Sequence, residues 1–384
     1  ESGLQHFPKD KRESIAARGL LKQPAHAEIM GTDEQREELY KKLSRVEIRF
    51  NEKAGGWNVD EAGTFLLEQF QTTPSCLFIV NTKKWAQELY QYCQKQNVPP
   101  EALFHLSTHQ CAAHRKAIFY TIKARLGNKQ PVICISTQLI EAGVDISMAC
   151  VIRALSGLDS IAQAAGRCNR HGEKKGKGQV WVLNLQEQDF TQILPDIQAG
   201  KTHAERVFRD FAGQDILQPE AMKRYFEYYF YNRSNEMVYP INEKAKNDGL
   251  LHWLSDNALN PYGEKNNKRS KQLPLLMQSF KNAGRAFQAI DAPTRSVIVP
   301  YEEGAELIAK LCGEWEPKEM YHTLQKAQRY SVNVFPKVWD KLQKENALHE
   351  TIEGSGIYYL KERHYNDEFG LSLDKTSDMT FLNY

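Results

Sequence analysis

From about residue 56 to residue 195, short apolar runs alternate with segments whose apolar positions recur every three or four residues. The runs at 76–80, 102–106, 132–135, 150–153 and 179–183 have the length and continuity of buried strands. Between them, 62–70, 84–94, 114–126 and 160–169 carry helical spacing; in 84–94 the apolar positions are Trp85, Leu89 and Cys93. A helix at 34–43 and a strand at 45–50 are expected earlier, before the Gly55-Gly56 pair punctuates the chain. Strands alternating with helices predict an α/β fold with a doubly wound parallel sheet. In such sheets function gathers at the carboxyl ends of the strands.

After about residue 195 the pattern changes. Segments 202–211 and 220–231 read as helices, and the aromatic cluster Tyr225–Tyr231 suits a core better than a base-stacking platform. Residues 255–275, rich in Asn, Lys and Pro, read as a loop. A small α+β segment follows, with strands at 296–300, 332–334 and 357–360 and a helix at 304–311. This gives four expected regions: an N-terminal segment or linker (1–55), an α/β lobe (56–195), a helical linker region (196–290) and an accessory C-terminal domain (291–384).

Composition narrows the class. The chain has 384 residues and 41% hydrophobic content, enough for two or three cored domains. No run approaches the roughly 18–20 apolar residues of a membrane span. The first residue is Glu1 and no signal peptide follows, so a fragment of a longer protein is expected. Seven cysteines without a Cys-x-x-Cys pair read as reduced thiols of a cytoplasmic protein. Net charge is only +2, so charge alone does not indicate nucleic acid. The charges cluster, however: Arg167, Arg170, Lys174, Lys175 and Lys177 face the single acid Glu173 between Gln163 and Gly178, and a second basic run is Lys265, Lys268, Arg269 and Lys271. Both patterns also fit solvated loops.

Two adjoining motifs carry chemistry. The strand at 132–135 runs into Ser136-Thr137-Gln138-Leu139-Ile140-Glu141-Ala142-Gly143-Val144-Asp145. Small hydroxyls at a strand end can bond a phosphate backbone. Gly143 can adopt backbone angles closed to other residues, and Asp145 can accept hydrogen bonds from ribose hydroxyls. Next, Gln163-Ala-Ala-Gly166-Arg167-Cys-Asn-Arg170 would set Gln163, Gly166, Arg167 and Arg170 along one helical face. Two arginines on one face call for an anion between them, and guanidinium groups match phosphate oxygens. An arginine so placed stabilises phosphoryl-transfer charge.

This second motif resembles motif VI (QxxGRxxR) of superfamily 2 helicases, and the first resembles their motif V, in the expected order. The implied fold is the second RecA-like lobe. More narrowly, His105-Leu-Ser-Thr108, Ser136 to Ile146, Gly157-Leu-Asp-Ser-Ile-Ala-Gln163 and Ala165-Gly-Arg-Cys-Asn-Arg170 resemble the CRISPR-associated helicase-nuclease of type I systems, especially type I-C. Ile298-Val-Pro-Tyr301, Tyr330-Ser-Val-Asn333 and Gly356-Ile-Tyr-Tyr359 extend the resemblance to an accessory domain.

The resemblance implies roles. Arg167 and Arg170 would contact ATP, with Arg170 the arginine finger. Gln163 would position the phosphates or attacking water, with Gly166 leaving room for close approach. Asp145 beside Gly143 would hold the ribose. Asn81, Thr82, Ser107 and Thr137 would grip single-stranded DNA. Arg115 would join them, or cap a helix. The cofactors would be ATP and Mg2+. The partners would be single-stranded DNA, the RNA-guided CRISPR surveillance complex and, as a further candidate, a phage anti-CRISPR inhibitor. The protein would act as a monomer, without a membrane; the alternatives are a fragment of another superfamily 2 DNA or RNA helicase, or a non-catalytic module that binds nucleic acid or protein.

Other pieces of a motor are expected outside this sequence. Gly200-Lys201-Thr202 is no P-loop, because Pro195 stands where its first glycine belongs. Asp33-Glu34 follows Gly31 and Thr32 rather than a strand, and no His-Asp dipeptide marks a nuclease site. His105, His109, Cys111 and His114 lie within ten residues. A strand end, a loop and a helix start would have to converge for them to bind zinc, so no metal site is assigned.

Overall fold

A computed structural model describes Thr32, residues 34, 35 and 38–40, and 44–372 apart from 142, 173–175, 187–193, 234–238, 240–248, 255–277, 289–292 and 314–316. The basic run from Lys265 to Lys271, the expected loop at 255–275, Asp33, Lys174, Lys175 and Glu173 lie outside the described residues.

The chain divides into two compact units: Arg45–Lys201 with Ala292–Tyr384, and Glu1–Ser44 with Thr202–Asp291. In order, the elements are β1 (Val46–Asn51), α1 (Val59–Thr72), β2 (Ser75–Ile79), α2 (Lys83–Lys95), β3 (Leu103–Leu106), α3 (Ala112–Gly127), β4 (Val132–Ser136), β5 (Cys150–Ala154), α4 (Leu158–Ala165), β6 (Gly178–Leu183), α5 (Pro195–Asp210), α6 (Pro219–Asn232), α7 (Leu250–Leu254) and α8 (Phe280–Ala286). The chain continues through β7 (Arg295–Ile298), α9 (Glu303–Leu311), α10 (Pro317–Ala327), β8 (Ser331–Val334), α11 (Pro336–Lys344), β9 (Leu348–Glu350), β10 (Tyr358–Leu360), β11 (Tyr365–Asn366) and β12 (Gly370–Leu371).

The first six strands form one sheet in the order β1-β6-β5-β2-β4-β3. Every pairing in it is parallel. The sheet is the doubly wound parallel α/β fold expected from the alternation, as the resemblance to a RecA-like lobe also implies. Strands β2, β4 and β5 are buried along their whole length, which explains their unbroken apolar runs. Strand β1 lies before residue 56 yet is one of the two edge strands of this sheet, in register with β6 from Val46↔Gly178 to Asn51↔Leu183.

Local chemistry sets the helix starts. Asn58 caps α1 in a reciprocal capping box with Glu61. Thr82 caps α2 by accepting from the Trp85 amide. Helix α2 buries Trp85, Ala86, Leu89, Tyr90 and Cys93, one stripe against the sheet.

In the same unit, a second sheet runs β8-β7-β10-β9. Its core of Val297, Val332, Trp339, Leu342 and Leu360 also takes in Cys111 at the start of α3. The hairpin β11–β12 closes the join. Phe369 packs against Tyr90 and His105, with ring centroids 5.3 and 5.0 Å apart. The Leu371 amide donates to the His109 carbonyl at 2.9 Å. The α+β segment therefore packs directly on the α/β lobe. In the other unit, α6 buries Ala221 and Tyr225 and leaves Tyr231 exposed. All seven cysteines are free thiols and six are buried. No helix of the described residues is long and apolar enough to cross a membrane.

Candidate nucleotide and nucleic-acid surfaces

The carboxyl ends of β2, β3 and β4 lie side by side, and the loops that follow them hold Asn81 and Thr82, Ser107, and Thr137. The Thr137 amide donates to the Leu106 carbonyl at 3.2 Å, and Gln138 Nε2 to the Asn81 carbonyl at 3.4 Å. The fold thus gathers these four residues on one edge. Three of the four side chains already have structural partners. Asn81 Nδ2 donates to the Leu155 carbonyl, and Thr82 caps α2. Ser107 Oγ accepts from the His109 amide. Thr137 is nearly fully buried. Arg115 Nη1 donates to the Gln110 carbonyl at 2.6 Å, tying the start of α3 to the loop before it.

The loop from Thr137 then crosses the lobe to the amino end of β5, carrying Asp145 to the opposite edge. There Asp145 is exposed and faces three basic groups: Arg170 Nε at 3.3 Å, Lys123 Nζ at 3.6 Å and His171 Nε2 at 3.6 Å. It borders a cleft of about 830 Å³ that is also lined by Thr73, Ser75, Lys123, Lys129 and His171. Gly143, at φ +72°, has no atom within 4 Å of where a Cβ would stand. It permits the turn that presents Asp145.

The second motif departs from the sequence expectation. Helix α4 ends at Ala165, so Gln163, Gly166, Arg167 and Arg170 do not share one helical face. Gly166 is the C-cap. Cys168 forms a parallel bridge with Met148, and Asn169 adopts φ +45°, so the backbone turns sharply. The arginines separate. Arg167 is buried, donating from Nε to the Ile140 carbonyl at 3.0 Å and from Nη2 to the Glu141 carbonyl at 2.5 Å. Arg170 is 36% exposed and shares its guanidinium between the Val144 carbonyl and Asp145. Its backbone amide donates to Ser147 Oγ, and its carbonyl accepts from Arg45. Gln163 is exposed on α4. The two arginines turn to different protein acceptors.

The sequence reading missed the group beneath both surfaces. Arg153, fully buried on β5, donates from Nε to Glu141 Oε1 at 2.8 Å. Its Nη1 donates to Asn81 Oδ1 at 2.7 Å, and its Nη2 to Ser160 Oγ at 3.0 Å. Ser160 Oγ in turn donates to Glu141 Oε2 at 2.7 Å. Burial pushes the Glu141 carboxyl up, opposed by Arg153 and Ser160. A charge inside an otherwise apolar strand was the available signal.

The histidines are accounted for by packing. His114 stacks on Tyr301 at 4.3 Å, and its Nδ1 meets the Tyr365 hydroxyl at 3.0 Å. His105 sits among Tyr90 and Phe369, with neither ring nitrogen hydrogen-bonded. Among the described residues, no group of three His, Cys, Asp or Glu is placed to hold a metal ion.

Residues 72–173 match the family model described as the C-terminal region of the CRISPR-associated nuclease/helicase Cas3. Over 64 residues, 16% of the chain, the sequence is 52% identical to the Cas3 nuclease/helicase of Haloferax volcanii. Over 142 residues, 36% of the chain, it is 28% identical to a putative Cas3 nuclease/helicase of Methanocaldococcus jannaschii. These stretches span only 7% and 18% of the two relatives. The fold is similar to the crystal structure of T. fusca Cas3-AMPPNP, with TM-score 0.55 and 15% identity, covering 85% of this chain and 40% of that one. It is also similar to a chain of a CRISPR RNA-guided surveillance complex, pre-nicking, with TM-score 0.50 and 14% identity over 85% of this chain and 42% of that one.

Proposed function

We propose, from the premise that this chain carries the C-terminal helicase region of the Cas3 family, that it forms one wall of an ATP-driven motor acting on single-stranded DNA. The intact protein would be recruited by the RNA-guided surveillance complex, translocate on DNA and degrade it at a nuclease site outside this sequence. The P-loop and the acids that hold Mg2+ would likewise lie outside it. Residues 56–195 together with strand β1 would be the helicase lobe, 196–290 a linker region and 291–384 an accessory domain, with the residues before β1 leading into the lobe.

The observation that carries this reading is the state of Arg170. It is a half-exposed guanidinium held by an exposed carboxylate, Asp145, at 3.3 Å. Such a surface pair is worth little, about 0–1 kcal/mol. Arg170 can therefore exchange it for a phosphate group at small cost. ATP, when bound, supplies the phosphoryl group whose transfer drives the motor. Arg170 would neutralise its charge, Asp145 would turn to ribose hydroxyls, and exposed Gln163 would orient the attacking water. Arg167, buried on two carbonyls, holds the loop that carries Asp145 and contacts phosphate only if that loop moves. Asn81, Thr82, Ser107 and Thr137 would present strand-end groups to the DNA backbone, with Arg115 supporting them.

The test compares this chain alone with the intact protein. The chain alone should bind single-stranded DNA yet hydrolyse no ATP, while the intact protein hydrolyses ATP when that DNA is added. Turnover by the chain alone would contradict the division of labour.

A further inference from the structure

The strongest unassigned feature is the buried Arg153–Glu141 pair, which connects the two edges of the lobe. On one side Arg153 holds Asn81 Oδ1 and donates to the Ala154 carbonyl. On the other, Glu141 belongs to the crossing loop, whose carbonyls at 140 and 141 receive Arg167. Ser160, bonded to both members, fixes α4, the helix that leads into Gly166 and the arginine turn. The strand end at Asn81, the crossing loop and helix α4, which precedes the arginine turn, are thus bonded to a single guanidinium.

Stability does not explain the pair. Burying an arginine and a carboxylate costs several kcal/mol each before their attraction is counted, and well-packed apolar replacements are often as stable or more so. Strand β5 is otherwise apolar, with Val151, Ile152 and Ala154 fully buried beside Arg153. We propose that Arg153 and Glu141 are positioning residues that couple nucleotide binding at the Arg170 edge to DNA grip at the Asn81 edge. A network can do this when it has discrete arrangements that both ligands bias. Pulling Arg170 and its loop toward phosphate shifts Glu141, Arg153 follows its carboxylate, and Asn81 follows Arg153.

This inference rests on the motor reading above. Its test is the factor by which a non-hydrolysable ATP analogue changes single-stranded DNA affinity in the intact protein. Coupled sites show factors of about 5 to 150. The variant is Arg153→Met with Glu141→Leu, which removes both charges and keeps volume. It is expected to melt at or above the wild-type temperature and to bind each ligand alone within about threefold of wild type. Its coupling factor should fall to about one, and DNA should no longer raise kcat for ATP while KM stays unchanged. A folded double variant with wild-type coupling overturns the inference and leaves the motor reading intact. A wild-type factor of one overturns both. Should the double variant not fold, Ser160→Ala removes only the link to α4. Coupling lowered by about threefold or more there supports the network, and unchanged coupling overturns it.

Discussion

At the scale of single residues, burial separates two arginines that the sequence presents as a pair. Arg167 and Arg170 stand three positions apart in one motif, and nothing in their identities distinguishes them. The structure gives Arg167 two carbonyl acceptors inside the protein and Arg170 one carbonyl and an exposed carboxylate. Hydrogen bonds from a charged group contribute about 1.5–3 kcal/mol each when buried. Arg167→Ala should therefore cost about 3 kcal/mol or more in urea unfolding, and Arg170→Ala less than about 1 kcal/mol. Equal costs would contradict the division between a loop clamp and a ready anion ligand. His105 supplies a second residue-scale expectation. Burial pushes its pKa from 6.5 down to about 4, opposed by the nearby Glu368 backbone. The unfolded state then takes up the proton first as pH falls. The stability of a neutral His105 is complete above pH 6.5 and declines below it, by about 3 kcal/mol on reaching pH 4. Unfolding measured between pH 7 and 4 should show this loss. His105→Leu should flatten it, and an unchanged slope in that variant would assign the loss elsewhere.

At the scale of elements, the regular pieces were legible because their periods are strong. The fully buried runs of β2, β4 and β5 and the stripe of α2 stand where the pattern placed them. The end of α4 was not legible. Helical spacing through Arg170 suggested continuation, but the bridge of Cys168 to Met148 and the left-handed Asn169 are tertiary decisions that stop the helix at Ala165. Helices α10 and α11 and strand β9 went unassigned. The hairpin β11–β12 has two residues per strand, too few for any period to register. Yet it anchors the α+β segment. Gly370 has φ +75°, and a Cβ there would overlap the His109 carbonyl oxygen. Gly370→Ala should thus lower stability well beyond the roughly 1–2 kcal/mol of left-handed strain alone and expose the C-terminal segment to protease. Gly354, at φ +80° with open space around it, is the control that carries strain without overlap. Equal losses in the two alanine variants would show that the hairpin contact contributes nothing.

At the scale of the whole molecule, one crossing loop explains why the two proposed surfaces lie on opposite edges of the sheet. The expectation that function gathers at carboxyl ends describes the Asn81, Ser107 and Thr137 set. Asp145 and Arg170 lie by the amino ends of β2, β4 and β5, because the loop after β4 returns the full depth of the lobe before β5 begins. The motifs in the sequence named the residues of both proposed surfaces. The Arg153–Glu141 pair that joins them was only half legible: a charge in an apolar strand stands out, but its partner is not visible in one dimension. In the proposed motor, Arg170 supplies charge to ATP bound against this lobe. The most direct measurement is the ATP hydrolysis rate of the intact protein at saturating single-stranded DNA, with Arg170→Ala compared to wild type. The expected result is a fall of about a thousandfold or more, the scale of a lost arginine finger, with ATP-independent cutting of single-stranded DNA retained. Hydrolysis at the wild-type rate in that variant would contradict it.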